Sequence, residues 1–302
     1  MLTWAHENGC PWGDKTCDIL AEGGHFEMLQ WANEKGCPWG DQTCSHLAGH
    51  GNLEMLQWAR ENGCPWGQNT CSQAAEGSHH EVLKWARENG CPRDHDTCDA
   101  LAEGGHFEML TWAHKNGFPW GENCSSAIAG HGNLEVMKWA RENGCPWSRY
   151  TCDTAAKLGH LEMLQWVHAN GCPWGSDLFV GACAWIARPG NLEVLQWARE
   201  NGCAWDSHTC ACAAEGGHLE VLQWAHANGC PSDEQTCERA ARGGHLEVIQ
   251  WARANGFPFD MVRCEEAIES GIQDRNMFSS SPSSQARNSS LAAELISRLR
   301  EM

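Results

Sequence analysis

Three residue types in this chain recur at spacings that could do chemistry. Nineteen cysteines fall into two rows seven residues apart, as in Cys10 and Cys17, Cys37 and Cys44, Cys64 and Cys71. Such rows could form a ladder of disulfides or a set of thiolate metal sites. A disulfide ladder needs an oxidising compartment, and nothing in the sequence points to one. Zinc needs four ligands at about 2.3 Å, whereas equivalent residues of stacked helical units lie about 8–10 Å apart. Phe118 and Phe257 stand where the first cysteine belongs, leaving Cys124 and Cys264 without a mate at that spacing. Phenylalanine replaces a small apolar residue, not a ligand. The rows therefore read as buried structural thiols, and no metal or cofactor is expected.

Histidine forms a row at His25, His79, His106, His160, His218 and His245, which invites a metal or pH-switch reading. Asn52, Asn133 and Asn191 substitute in it. Asparagine is a poor zinc ligand and a leading helix N-cap, so the row reads as capping. A second set, His6, His114, His168 and His226, alternates with arginines such as Arg60 and Arg141 and reads as a polar stripe. Tryptophan could stack nucleobases. The row Trp4, Trp31, Trp58, Trp85 is followed by alanine at each step, a large residue beside a small one, which reads as core. A second row, Trp12, Trp39, Trp66 and Trp120, admits Arg93, Ser232 and Phe259, so part of it is expected at the surface.

The elements that hold these rows are repeats. Trp4, Trp31, Trp58, Trp85, Trp112, Trp139 and Trp166 are 27 residues apart; Trp197 slips by four, and Trp224 and Trp251 resume the spacing. The longer helix of each unit is typified by His218–Asn228, whose Leu219, Val221, Leu222, Trp224 and Ala225 form one apolar stripe. Asn228-Gly229 closes it and Pro231 forbids its continuation. The shorter helix is typified by Thr236–Arg242, closed by Gly243-Gly244. Neither helix buries its stripe alone, so the units must stack. The spacing predicts an all-α helix-turn-helix repeat solenoid.

The string AAEGGHLEVLQWAHANGC at 213–230 resembles the ankyrin repeat at Ala213-Ala214, Gly217-His218-Leu219-Glu220 and Asn228-Gly229. The resemblance runs through nine complete units, 13–256, with an irregular one at 172–202. Ankyrin units have about 33 residues. The residues missing here fall mostly where ankyrins carry their β-hairpin finger, and the threonine-proline-leucine-histidine signature is absent. The resemblance therefore implies a binding groove of helices without fingers. Flanking segments read as a partial N-terminal repeat at 1–12, a partial C-terminal repeat at 257–276, a serine-rich linker at 277–290 and a short amphipathic helix at 291–302 that either folds back over the last unit or docks elsewhere. Met1–His6 copies Met109–His114, so the sequence opens in mid-helix.

The short helix carries the row that varies most freely. In ankyrins this helix lines the concave face, so the resemblance implies a binding surface at Asp18, Ser45, His46, Ser72, Gln73, Asp99, Asp153, Thr154, Glu238 and Arg239. No catalytic constellation stands out from the repeat, and no enzyme is expected. The expected function is a scaffold that binds partner proteins. The alternatives are a Cys-rich metal-binding or redox protein, or a substrate-recognition adaptor fragment of a larger protein such as a ubiquitin ligase subunit. The net charge of −18, from 39 acidic and 21 basic residues, argues against a nucleic-acid partner. No apolar run reaches the roughly 18 residues of a membrane helix, so no membrane partner is expected, and the location expected is intracellular, cytoplasmic or nuclear.

Overall fold

The structure, a computed structural model, describes residues 2–13, 15–174, 182–277 and 282–301. Among them every regular element is a helix, and no helix is long and apolar enough to cross a membrane. The four-residue slip of the irregular repeat falls on 175–181, outside the described residues. The chain divides into two compact units, Met1–Ser148 and Arg149–Met302.

In the first unit short helices α2 (Thr16–Glu22), α4 (Thr43–Gly49), α6 (Thr70–Glu76), α8 (Asp96–Glu103) and α10 (Cys124–Gly130) alternate with longer ones. The longer ones are α3 (Phe26–Glu34), α5 (Leu53–Glu61), α7 (His80–Glu88), α9 (Phe107–Lys115) and α11 (Leu134–Glu142), preceded by α1 (Leu2–Glu7). The second unit repeats the alternation: short α12 (Thr151–Lys157), α14 (Ala182–Ala187), α16 (Ser207–Glu215) and α18 (Glu234–Gly243), long α13 (Leu161–Ala169), α15 (Leu192–Glu200), α17 (Leu219–Ala227) and α19 (Leu246–Ala254). Within each unit a short helix packs on the short helix of the next repeat and on its own long helix. The core is therefore a continuous seam: Cys44, Leu47 and Ala48 from a short helix meet Met55, Leu56 and Ala59 from a long one, all buried.

The chain ends on two longer helices, α20 (Met261–Met277) and α21 (Pro282–Glu301). Regular structure thus begins inside the stretch read as a serine-rich linker. Helix α21 packs on α20 and α19, burying Leu295 and Leu299. Arg300 holds it by Nε–Oε1 and Nη2–Oε2 bonds of 2.5 and 2.8 Å to Glu265.

The side-chain rows play different parts from those expected. The long-helix tryptophans are half-buried; the fully buried positions are the leucine two residues before and the alanine after, Leu29 and Ala32 around Trp31. Of the loop tryptophans, Trp174 is tilted against Trp197; Trp39, like Trp12, Trp66, Trp120 and Trp205, lies edge-on to the long-helix tryptophan of the following repeat, with its centroid 5.7 Å from that of Trp58. Its indole N–H donates to that helix's terminal carbonyl, Trp39 Nε1 to Asn62 O at 2.8 Å. The residues read as a polar stripe cover its face: the Arg60 guanidinium lies 4.3 Å from the Trp66 centroid, and His114 stacks on Trp120 at 4.5 Å. The tryptophans are clasps between repeats.

The histidines at helix starts form no side-chain cap, whereas Asn52 and Asn133 do, accepting from Met55 N and Val136 N. The imidazoles reach instead to the previous repeat: His79 Nε2 meets Gly49 O at 3.1 Å and His245 Nε2 meets Glu215 O at 3.1 Å. In the two repeats that Asn52 and Asn133 cap, a histidine two residues earlier takes that bond, His50 to Glu22 O and His131 to Glu103 O, each at 2.9 Å. The cysteines meet across 20 residues, not seven, Cys44 with Cys64 and Cys71 with Cys91. At that spacing Phe118 and Phe257 stand opposite Cys98 and Cys237, not Cys124 and Cys264, and the Cys98 thiol bonds instead to that of Cys124.

Candidate nucleic-acid interface

One turn of each short helix is left uncovered by the seam. Its side chains come from two positions three residues apart, which share a helix face; they are exposed or half-buried except Ala100 and Cys212, which are buried. In the first unit these positions hold Ile19 and Glu22, His46 and Gly49, Gln73 and Glu76, Ala100 and Glu103, Ala127 and Gly130. In the second they hold Thr154 and Lys157, Trp185 and Arg188, Cys212 and Glu215, Arg239 and Arg242.

The sequence-predicted site residues divide accordingly. His46, Gln73, Thr154 and Arg239 belong to this ridge and are half-buried. Asp18, Ser45 and Ser72, one position earlier, are buried. The Asp18 carboxylate accepts from Gln42 N at 3.1 Å and Thr43 Oγ1 at 2.7 Å of the next repeat. Ser45 Oγ meets Thr70 Oγ1 at 3.3 Å, Ser72 Oγ donates to Asn69 O at 3.2 Å, and Asp99 Oδ2 accepts from Asn123 N at 3.2 Å. Gly40 is a consequence: a Cβ there would collide with the Asp18 carboxylate. Asp18, Ser45 and Asp99 thus bind one repeat to the next, and Ser72 bonds within its own repeat. Asp153 and Glu238 occupy the same position in the second unit, half-buried, and line the clefts there.

Two clefts mark the ridge of the second unit. One, of about 210 Å³, is lined by Tyr150, Asp153, Thr154, Lys157 and Trp185. The Lys157 ammonium lies 5.3 Å from the Trp185 centroid, the Arg149 guanidinium 4.6 Å from that of Tyr150, and Trp185 Nε1 is buried with no hydrogen-bond partner among the described residues. The other, of about 420 Å³, gathers Arg188, Glu215, Gln235, Glu238, Arg239 and Arg242. Glu215 bridges two repeats, accepting from Arg188 Nη2 at 2.8 Å and from Arg239 Nη1 at 3.4 Å. Arg239 Nη2 also donates to Gln235 Oε1 at 3.3 Å, and Arg263 Nη1 to Glu238 Oε1 at 3.1 Å. Arg242 is exposed and forms no ion pair among the described residues. Lys157, Arg188 and Arg242, with Trp185 and Tyr150, were missed as site residues in the sequence. The signal for the cations was present: their row varies from repeat to repeat and lies one helical turn beyond the row that was chosen. Among the described residues no cluster of three or more metal-ligating side chains occurs.

These features define a helical-repeat solenoid with one ridge of variable side chains. No family model matches the chain, and no curated protein matches it. Among solved structures it is similar to the pentatricopeptide repeat protein PPR10 in complex with an 18-nucleotide psaJ RNA element. The TM-score is 0.51 and the identity 12%, over 99% of this chain and 58% of that one. A form of that protein with three cysteines replaced by serine, again with the RNA, matches equally. The likeness establishes the helical-repeat fold; an ankyrin identity is not shown. It also corrects two expectations. A protein partner was expected on the short helices, and nucleic acid was excluded; both of these similar structures carry RNA. The exclusion rested on net charge, which sums over the whole surface, whereas a strand meets only the groups on one face.

Proposed function

We propose that this protein is a non-enzymatic helical-repeat scaffold that binds single-stranded RNA along the short-helix ridge of its second unit. The observation that carries the reading is the ridge itself: paired variable positions, one pair per repeat, with cations and aromatics concentrated at Tyr150, Lys157, Trp185, Arg188, Arg239 and Arg242. Helical-repeat RNA readers use two or three side chains per repeat for each base. Single strands are held by cations tracking the backbone and aromatics stacking on bases. Lys157, Arg188 and Arg242 point to phosphate contacts, and Trp185 with Tyr150 to stacking. The complexes of the similar pentatricopeptide repeat protein with RNA support the same reading.

The acidic remainder of the molecule has a measurable consequence. Three phosphate contacts on a single strand predict a salt slope of about −2 in log–log form, shallow beside that of a basic protein. The test is fluorescence anisotropy with labelled single-stranded RNA, a mixed-sequence pool and homopolymers, from about 50 to 200 mM salt. Saturable binding with that slope, lost in the variant Lys157→Ala/Arg188→Ala/Arg242→Ala while helicity is retained, is the expected result. A folded protein that binds none of these probes at the lowest salt, or whose binding ignores the triple variant, overturns the proposal.

A further inference from the structure

The thiol pairs have a geometry that a passive core does not require. Cys17 and Cys37 Sγ lie 3.3 Å apart, Cys44 and Cys64 3.0 Å, Cys71 and Cys91 3.1 Å, and Cys183 and Cys203 3.0 Å. Each pair joins the first turn of a short helix to the loop that leaves the following long helix, so it spans one complete helix-turn-helix unit. All eight sulfurs are buried. The separations exceed a disulfide bond of about 2.04 Å by only about 1 Å.

We propose that these four pairs are oxidation sites, each closing to a disulfide within its own repeat at the expense of a low-molecular-weight disulfide. The thiolate of one cysteine attacks the small disulfide, forming a mixed disulfide and releasing one small thiol. The partner cysteine loses its proton and attacks the protein-side sulfur of that bond, expelling the second small thiol. One S–S bond is consumed and one formed, two S–H bonds pass from protein to reagent, and the small disulfide takes both electrons. The attacking species is the thiolate. Burial first, then the hydrogen bond between the two thiols, raises Cys17; for Cys64 and Cys71 the mutual hydrogen bond is the larger cause. Closure therefore proceeds through local opening of a repeat, a low-energy event in a solenoid. The closed bond ties the short helix to the exit loop and suppresses the next opening.

The molecule carries its own controls. Cys10 is exposed. Cys145 and Cys237 are buried, but the positions 20 residues away hold Ser125 and Phe257. The full chain is incubated with excess oxidised glutathione at about pH 8, near the thiol pKa, alkylated in denaturant, digested without reductant and analysed by mass spectrometry. The expected products are cross-linked peptides joining Cys17–Cys37, Cys44–Cys64, Cys71–Cys91 and Cys183–Cys203, a glutathione adduct on Cys10, and alkylated Cys145 and Cys237. A rise in Tm that reductant reverses accompanies them. Cys44→Ser removes one cross-link, leaves Cys64 alkylated and keeps the others. The proposal fails if Cys10 is fully modified while the four pairs stay alkylatable. It also fails if cross-links join cysteines at random, or if Cys64 in the variant bridges to another repeat. Because the readout is covalent, it stands apart from the outcome of the RNA measurement.

Discussion

At the outer ridge position the first unit carries Glu22, Glu76 and Glu103 with Gly49 and Gly130, and the second carries Lys157, Arg188 and Arg242 with Glu215. The helices beneath are the same. Cys71, Ala74 and Ala75 in one unit and Cys237, Ala240 and Ala241 in the other are buried alike. Neighbouring repeats are clasped alike, by Trp39 Nε1 on Asn62 O in the first unit and by Trp205 against Trp224, 5.8 Å between centroids, in the second. What differs is confined to positions that packing does not constrain. Stacking specifies the seam, and the ridge is left free to vary in charge without disturbing it. A chain of net charge −18 can thereby gather Lys157, Arg188, Arg239 and Arg242 on the ridge of one of its two units.

That comparison can be pressed at four points. The largest effect is expected where the units agree. Leu83→Ala in the first and Leu195→Ala in the second each remove a fully buried side chain and should each destabilise by about 2–5 kcal/mol, read by urea unfolding; a large disparity would mean the two seams are not equivalent. Where the units differ, reversing Lys157, Arg188 and Arg242 to glutamate should weaken RNA binding by about a hundredfold or more. Removing the charges of Glu22, Glu76 and Glu103 with glutamine should leave affinity the same or raise it. A loss in the second experiment would move the site to the first unit.

A smaller effect separates the two rows within one helix. Asp18→Ala orphans Gln42 N and Thr43 Oγ1 and should cost about 1–3 kcal/mol of stability with unchanged RNA affinity in the folded protein. Arg239→Ala should leave stability within about 0.5 kcal/mol and reduce affinity, both measured on the same preparations by unfolding and anisotropy. The smallest effect concerns Asp94. Burial raises its carboxyl above the usual range, against the lowering effect of Thr97, whose N and Oγ1 both donate to Oδ1 at 2.7 Å, and Oδ2 has no partner. A folded-state pKa above the unfolded one means the protonated form is favoured by folding. The contribution is present below the unfolded value and lost as pH rises through the folded one. Asp94→Asn keeps the acceptor and removes the charge, so its Tm should exceed wild type at neutral pH, and the difference should vanish below about pH 4.

Much of the architecture was legible because its determinants are local. The tryptophan period, the Asn-Gly stops and the apolar stripe of His218–Asn228 specify helices whatever lies beside them. Helix Leu219–Ala227, with His218 and Asn228 at its ends, follows that reading closely. The site was legible only in part. Variation along the short helix pointed to the element that carries the ridge, and Thr154 and Arg239 stand on that ridge. Variation alone could not tell Asp18 from Ile19: adjacent residues on a helix point about 100° apart, and which of them faces the neighbouring repeat depends on how the helices are offset. The histidine row was misread as caps, and the mates within the buried cysteine rows were misplaced, for the same reason, since their partners lie in other elements of the stack.

By itself, then, the sequence determined the repeat, the two helices of each unit and the end of each helix, because capping, turn chemistry and apolar periodicity act over a few residues. Tertiary structure alone decided that Asp18 meets Thr43, that Cys17 meets Cys37, that His79 reaches Gly49 and that the loop tryptophans clasp the next helix. Those partners stand 19 to 30 residues apart, and only the stacking of one repeat on the next sets which side chains come within reach and which remain for a ligand.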